Sequence, residues 1–561
     1  MRLGCGAVAL ILALGLVTGC GKAREGNMVD LVLVNGKVWT GDPERPWAEA
    51  VAVGGRTILA VGTTAEIGKL SPSAMKLVDL GGALVLPGFI DSHTHFLAGG
   101  FALKSIQLHD AKSREEFVAR IAAKAREFGP GRWILDGNWD EEGFSPPELP
   151  RRDWIDAVTP DNPVCVSRID LHTVLANTVA LKLAGITKHT PAPPGGEIVK
   201  DPATGEPTGL LKDTAADLVM TKVPEPSFAE KLEAAAASLR YAAEHGVTSV
   251  NEMADAASFE VFQELARRGR LTARVHVYIP VTEVEALARI RMKSPPGDDH
   301  LQLAGLKGFV DGSLGSATAY FFEPYTDAPG TSGLLHGQMF PEGVMEKRIL
   351  EADRAGLQVA IHAIGDRANA LVLDIFERAA AANGPRDRRW RVEHAQHIRP
   401  ADIARFGRLG AVASVQPYHL IDDGRWAERK IGPERVKTTY AFESLRRAGA
   451  TLAFGSDWTV APLDPVLGIY AAVTRRTLDG KNPGGWVAGE KVTVEEAVRA
   501  YTVNGAWTQF AESVKGTIAP GKLADLVVLD RDIFAVPPEE IGGARVRLTV
   551  FDGKIVYGKD R

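Results

Sequence analysis

Apolar and polar positions change period several times along this chain, and each change marks an element. Short apolar runs ending in turn residues come early: Val29 to Val34 before Asn35-Gly36, and Ala50 to Val53 before Gly54-Gly55. Such dipeptides supply the backbone geometry of tight hairpins. The texture returns near the other end, in Asp525 to Asp530 and Val546 to Val550, with Asp552-Gly553 as the turn. Strand-rich ends around a long mixed middle predict that the two ends pair into one small β-domain.

In the middle, apolar runs of strand length alternate with segments of helical spacing. The runs end at His95, Met253 and Ile279, then cover Leu306 to Asp311, Leu357 to His362, Trp390 to His394, Ala411 to Gln416 and Leu452 to Asp457. Phe228 to His245, Ser258 to Arg268 and Glu342 to Ala355 are among the helical segments between them. Strands alternating with helices build a parallel sheet, and eight of them predict a closed (β/α)8 barrel of TIM type. The gap between His95 and Val247 is too long for a structureless loop. With Arg132 to Leu135, Pro163 to Ser167 and the Pro-rich Thr190 to Gly196, it predicts an inserted subdomain at the barrel mouth. The predicted boundaries are 29–88 with 516–561 for the terminal β-domain, 89–110 with 226–515 for the barrel and 111–225 for the insertion.

The first twenty residues follow another pattern. Arg2 is the only charge before the small and apolar stretch Gly6 to Val17, and Val17-Thr18-Gly19-Cys20 follows. The run is short for a bilayer span but fits the core of a signal peptide. Its last four residues resemble a bacterial lipobox. Residues 1–19 are therefore expected to leave as a signal peptide, Cys20 to carry lipid, and 20–28 to form a tether. The expected address is the cell envelope, at the periplasmic face of the outer membrane where two membranes exist. The membrane is met only through that lipid. Cys165, in Pro163-Val164-Cys165-Val166, then has no disulfide partner and reads as a buried structural thiol.

Composition narrows the function. Across 561 residues, 65 Lys+Arg stand against 70 Asp+Glu, a formal net charge of −5. That balance offers no electrostatic footprint for nucleic acid. Hydrophobic content of 45% and charged content of 24% exclude wholesale disorder. No P-loop sequence is present.

The candidate chemistry sits where predicted strands end. In Phe89-Ile90-Asp91-Ser92-His93-Thr94-His95, strand period two puts His93 and His95 on one face, within reach of one metal ion. His362, His394 and Asp457 also end predicted strands, and His419 follows Gln416-Pro417-Tyr418. In a parallel barrel all strand C-termini share one rim, so residues far apart in sequence converge there. Together His93, His95, His362, His394 and Asp457 form a coherent set of metal ligands. His109, His189, His245, His276, His300, His336 and His397 read as structural.

This constellation resembles the amidohydrolase superfamily. The stretch Gly305 to Ser316, with Trp139-Asp140, His362 to Asp366, Glu393 to Gln396, Gly455 to Trp458 and Gly516 to Leu526, is similar to its YtcJ-like or amidohydrolase-3 branch, which includes N-substituted formamide deformylases. The resemblance implies a barrel with a small β-sandwich built from both chain ends. It implies one or two divalent transition-metal ions, with zinc suited to imidazole and carboxylate ligands. His93, His95 and Asp457 would hold one ion. Lys307, as a CO2-derived carbamate, would bridge to a second completed by His362 and His394; as a plain lysine it would leave a single-metal site. Asp457 would also move the proton from water to the leaving nitrogen. Trp139, Asp140, His172, Asp311 and His419 are expected to face the substrate. The implied reaction is hydrolysis of an amide, N-acyl or N-formyl bond of a small molecule. Ester or cyclic substrates, and a non-catalytic lipoprotein that binds a small molecule, are the alternatives; the latter would require loss of ligands that are all present.

Overall fold

The computed structural model describes residues 28–285, 287 and 299–558. The leader and Cys20 lie outside these residues. Among the described residues no helix is long and apolar enough to cross a membrane.

Eight parallel strands form the central sheet: β1 Phe89–Thr94, β2 Val247–Met253, β3 Arg274–Pro280, β4 Leu301–Phe309, β5 Gln358–Ala363, β6 Arg391–His394, β7 Val412–Val415 and β8 Thr451–Phe454. They are neighbours in chain order, as the alternation of strands and helices predicts. Most are buried along their whole length, the pattern of a sheet covered on both faces. The ring closes between β8 and β1 through one parallel bridge, Thr94 to Trp458, and the Asp457 N–H donating to the His93 carbonyl at 2.7 Å. Gly455 permits this approach, because a Cβ there would lie 2.6 Å from the His93 nitrogen.

The helices begin where short polar side chains cap them. Ser227 and Glu230 form a reciprocal capping box that starts Phe228–Glu244. Asp255 accepts from the Ser258 N–H at 2.8 Å, so the next helix starts at Ala256, ahead of the Ser258 expected from spacing.

The apolar run Leu84 to His95 is two strands. Leu84–Pro87 belongs to a terminal sheet and Phe89–Thr94 to the barrel. Gly88 divides them, packed so tightly on Thr248 that a Cβ would meet its Oγ1 at 2.2 Å. The terminal strands form two sheets. The N-terminal segment alone builds a four-stranded one, whereas a six-stranded one mixes the ends, with Leu526–Leu529 antiparallel to Leu84–Pro87. Side chains from both, including Leu33, Val53, Val85, Leu526 and Val550, share one core. Arg274 at the start of β3 fastens this unit to the barrel by pairing with Asp525 at 2.8 Å and Asp552 at 3.0 Å.

Between β1 and β2 the chain builds a five-stranded sheet in the order Gly196–Lys200, Pro207–Asp213, Thr173–Ala176, Val164–Arg168, Ile134–Trp139. It has a core of its own around Phe117, Trp139, Trp154 and Val166. Cys165 is buried in a second apolar cluster of this sheet, with Val174 and Leu211, and burial raises its thiol to about 12.

Candidate metal centre

A cavity of about 370 Å³ opens at the C-terminal ends of the barrel strands, under the inserted sheet. His93 and His95, at the end of β1, point into it. Nδ1 of His93 meets the carboxylate of Glu393 on β6. Burial, with Lys307 nearby, lowers the His93 pKa to about 4, so its imidazole is neutral at ordinary pH. With Nδ1–H bound to Glu393, the lone pair of Nε2 faces the cavity. Burial alone would raise the Glu393 carboxyl, but Arg391 and His93 outweigh it and hold it well below the usual range.

Asp457 follows β8 in the left-handed region, with φ of 57°, a strained conformation for an aspartate. Its Oδ1 lies 3.3 Å from His95 Nε2 and 3.5 Å from His93 Nε2. Burial opposes ionisation, yet His93, His95 and His394 keep Asp457 well below the usual carboxylate range. Asp91, two residues before His93, accepts from the N–H of His93 at 3.1 Å and of Ser456 at 3.0 Å, tying β1 to the loop that presents Asp457. His394 ends β6 with φ of 71°, and Gln416 engages its Nδ1 at 2.8 Å. His419, on the short helix Pro417–Asp423, brings its ring alongside.

Two sets of side chains converge tightly enough to hold an ion: His93, His95 and Asp457, and His394, His419 and Asp457, the ligand atoms of each lying within 4.8 Å of one another. Asp457 Oδ1 and His419 Nε2 are buried without a hydrogen-bond partner. Buried polar atoms are normally satisfied. Orphaned imidazole nitrogen and carboxylate oxygen aimed at one space are the donor set of a divalent transition metal.

The other expected residues divide. Lys307 brings Nζ within 3.2 Å of His93 Nε2, and burial lowers its pKa to about 8. His362 borders the cavity, but its Nε2 bonds the Gly312 carbonyl at 3.0 Å and it joins neither converging set. His172 borders the cavity with Nδ1 on Asp213 at 2.6 Å. Asp140 borders it too, paired with Arg425 at 3.0 Å.

Trp139 and Asp311, expected to face substrate, do not line the cavity. The Trp139 indole is packed in the insertion core and donates to the Val166 carbonyl at 2.9 Å. Asp311 is fully buried and accepts from the N–H groups of Tyr320, Ile364 and Gly365, holding the loops after β4 and β5. His336, expected to be structural, lines the cavity. Glu393, Asp91, Gln416 and Asp213 were without assigned roles from the sequence. Asp91 shares the strand face of His93 by period two, and Glu393 adjoins His394. Nothing in the local pattern of Asp213 marks it.

A parallel eight-stranded barrel with a histidine and aspartate cluster at its C-terminal rim defines a metal-dependent hydrolase. The sequence comparisons agree with that class. A family model described as the amidohydrolase family matches residues 76–557. The chain is 39% identical over 545 residues to the protein Long After Far-Red 3 of Arabidopsis thaliana, covering 95% of this chain and 92% of that one. It is 29% identical over 551 residues to the N-substituted formamide deformylase of Arthrobacter pascens, covering 94% and 98%. A solved metal-dependent hydrolase from Pyrococcus horikoshii superposes with a TM-score of 0.73 at 29% identity, covering 91% of this chain and 99% of that one. The chain belongs to the amidohydrolase family.

Proposed function

We propose that this metal-dependent hydrolase cleaves a C–N bond of amide, N-acyl or N-formyl type in a small molecule. The convergence of His93, His95 and Asp457 around an orphaned carboxylate oxygen carries the reading. The similarity to a formamide deformylase over nearly the whole chain supports the choice of bond.

His93, His95 and Asp457 would hold a divalent metal, zinc by the chemistry of the donors, and His394 with His419 or Lys307 would serve a second position. Such a cation supplies Lewis acidity, acidifying water and polarising a carbonyl. The chain's own residues do the rest. Asp457, ionised and facing the cavity, accepts the proton of the attacking water and returns it to the leaving nitrogen. Glu393 and Gln416 hold the tautomers of His93 and His394, so both present Nε2 inward. Arg168, His172 and Asp213 of the inserted sheet and its loops border the same cavity, where they can orient the substrate.

The test is a panel of N-formyl and N-acyl amines with matched esters, offered to zinc-reconstituted protein. Amine release that disappears in Asp457→Asn is expected. Turnover of esters alone would move the reaction to a different bond.

The sequence Val17-Thr18-Gly19-Cys20 supports a second part of this reading, export and lipid attachment. Metabolic labelling with a fatty acid should mark the wild type and spare Cys20→Ala; equal labelling of neither would place the protein elsewhere.

A further inference from the structure

At the end of the cavity away from His95, the strand Pro207–Asp213 delivers Asp213 with φ of 46°, a left-handed conformation that non-glycine residues adopt where the surroundings demand it. The Asp213 side chain is 2% exposed. Its Oδ1 meets His172 Nδ1 at 2.6 Å, and its Oδ2 is buried with no hydrogen-bond partner. An unfilled acceptor of this kind is costly unless a ligand supplies the donor.

Acidic side chains outnumber basic ones along this cavity: Asp140, Asp170, Asp213, Asp217, Asp422 and Asp423 border it, against Arg168 and Lys307. The cations that face these carboxylates are already engaged. Arg168 is held by Glu141 and Asp170, Arg425 is shared by Asp140 and Asp422, and His172 is on Asp213. A concave wall on which one sign of charge predominates focuses its field into the space it encloses. It attracts a cation and repels a carboxylate.

We propose that this wall holds, at Asp213, a subsite for a cationic nitrogen donor, an ammonium or amidinium group, carried by the substrate away from the bond that is cut. The inference deepens the C–N hydrolase reading and rests on it. The two ends of the cavity are close enough for one small molecule. The ring of His172 lies 5.1 Å from that of His362, which lies 4.4 Å from that of His394 beside the metal ligands. Ile169, Val174 and Met220 border the same cavity and suit an alkyl or aryl spacer.

The test compares three compounds with one acyl group and one chain length: N-acetyl-diaminobutane, N-butylacetamide and acetamidobutanoate. Each is titrated calorimetrically into zinc-loaded wild type, Asp213→Asn and Asp217→Asn, and amine release is followed in the same samples. The cationic compound is expected to bind about tenfold more tightly than the neutral one, the worth of a charge-assisted hydrogen bond. In Asp213→Asn that preference should shrink to within about threefold, while Asp217→Asn at the open rim loses part of it. Melting temperatures check that the variants fold. Should Asp213→Asn fail to fold, the wild-type ranking and Asp217→Asn decide. Equal affinities, a preference for the anion, no binding of the cation, or a preference that survives Asp213→Asn would overturn the proposal. Cation-selective binding without amine release sinks the hydrolase reading and leaves the subsite. Amine release without selectivity does the reverse.

Discussion

Glu393 accepts the Nδ1 proton of His93, and this contact decides which nitrogen of His93 faces the cavity. Arg391 pairs with the same carboxylate at 2.7 Å and keeps it ionised. Carboxylates behind a ligating histidine fix its tautomer and raise its basicity. Glu393→Gln keeps the size and removes the charge. Metal affinity, measured by competition with a chelator, should fall about 10–100-fold. An unchanged affinity would remove Glu393 from the site.

Metal content discriminates among the histidines. His95→Ala and Asp457→Asn each take a ligand from a converging set, so elemental analysis of the purified variants should show metal lost. His362→Gln should keep it, because His362 Nε2 is already committed to the Gly312 carbonyl. A loss of half the metal in His362→Gln would instead give that residue the second-metal role its position at the end of β5 implies.

Lys307 tests the bridged arrangement. Its amine sits 3.2 Å from His93 Nε2, so its place on β4 reaches the ligands. Protein loaded with zinc and isotope-labelled bicarbonate should give a carbamate carbon resonance that Lys307→Met abolishes. Two metal equivalents should accompany that signal. One equivalent and no signal would leave Lys307 a plain amine beside a single ion.

Much of this is legible in the sequence for a physical reason. Strands buried on both faces read as short apolar runs, and the barrel puts each run's C-terminal residue on one rim, so His93, His95, His394 and Asp457 can be gathered without coordinates. Asp213 cannot be. It ends a strand of the insertion, and its placement depends on how that separate sheet sits over the rim. Trp139 misleads for a related reason: neighbouring Asp140 borders the cavity while the indole, on the opposite side of its strand, fills the insertion core. Leu84 to His95 reads as one run because apolarity does not distinguish a sandwich strand from a barrel strand. Only the Pro87-Gly88 break does.

The terminal sheets meet the barrel through apolar packing of Leu84, Leu86, Val527 and Leu529 and through one buried cluster of charge. Arg274 is 1% exposed and bridges Asp525 and Asp552. Removing one partner of a buried ion pair strands the other, at a cost of about 3–5 kcal/mol. Arg274→Met should therefore lower the unfolding free energy in chemical denaturation by about that much, and more than Arg267→Met on the exposed face of its helix. Equal effects would mean that the apolar packing of Leu84, Leu86, Val527 and Leu529 on the barrel, rather than this contact, joins them.

The insertion should loosen first in acid. Arg168 pairs with Asp170 at 2.8 Å, and Ser313 and Ser316 donate to the same carboxylate. Burial pushes the Asp170 pKa up, but Arg168 and His172 outweigh it and hold it at about 2. In an unfolded chain an aspartate titrates near about 3.9. A depressed carboxyl contributes stability that is complete above the unfolded value and drains away as the pH falls toward the folded one. The contribution of Asp170 should thus be intact at neutral pH and vanish between about pH 4 and pH 2, worth about 2 kcal/mol in all. Hydrogen exchange of the strand Val164–Arg168 should accelerate over that window in the wild type. In Asp170→Asn the same amides should already be less protected at neutral pH and change less on acidification. A variant whose acid profile matches the wild type would show that Glu141 alone satisfies Arg168 and that Asp170 is free to meet the substrate.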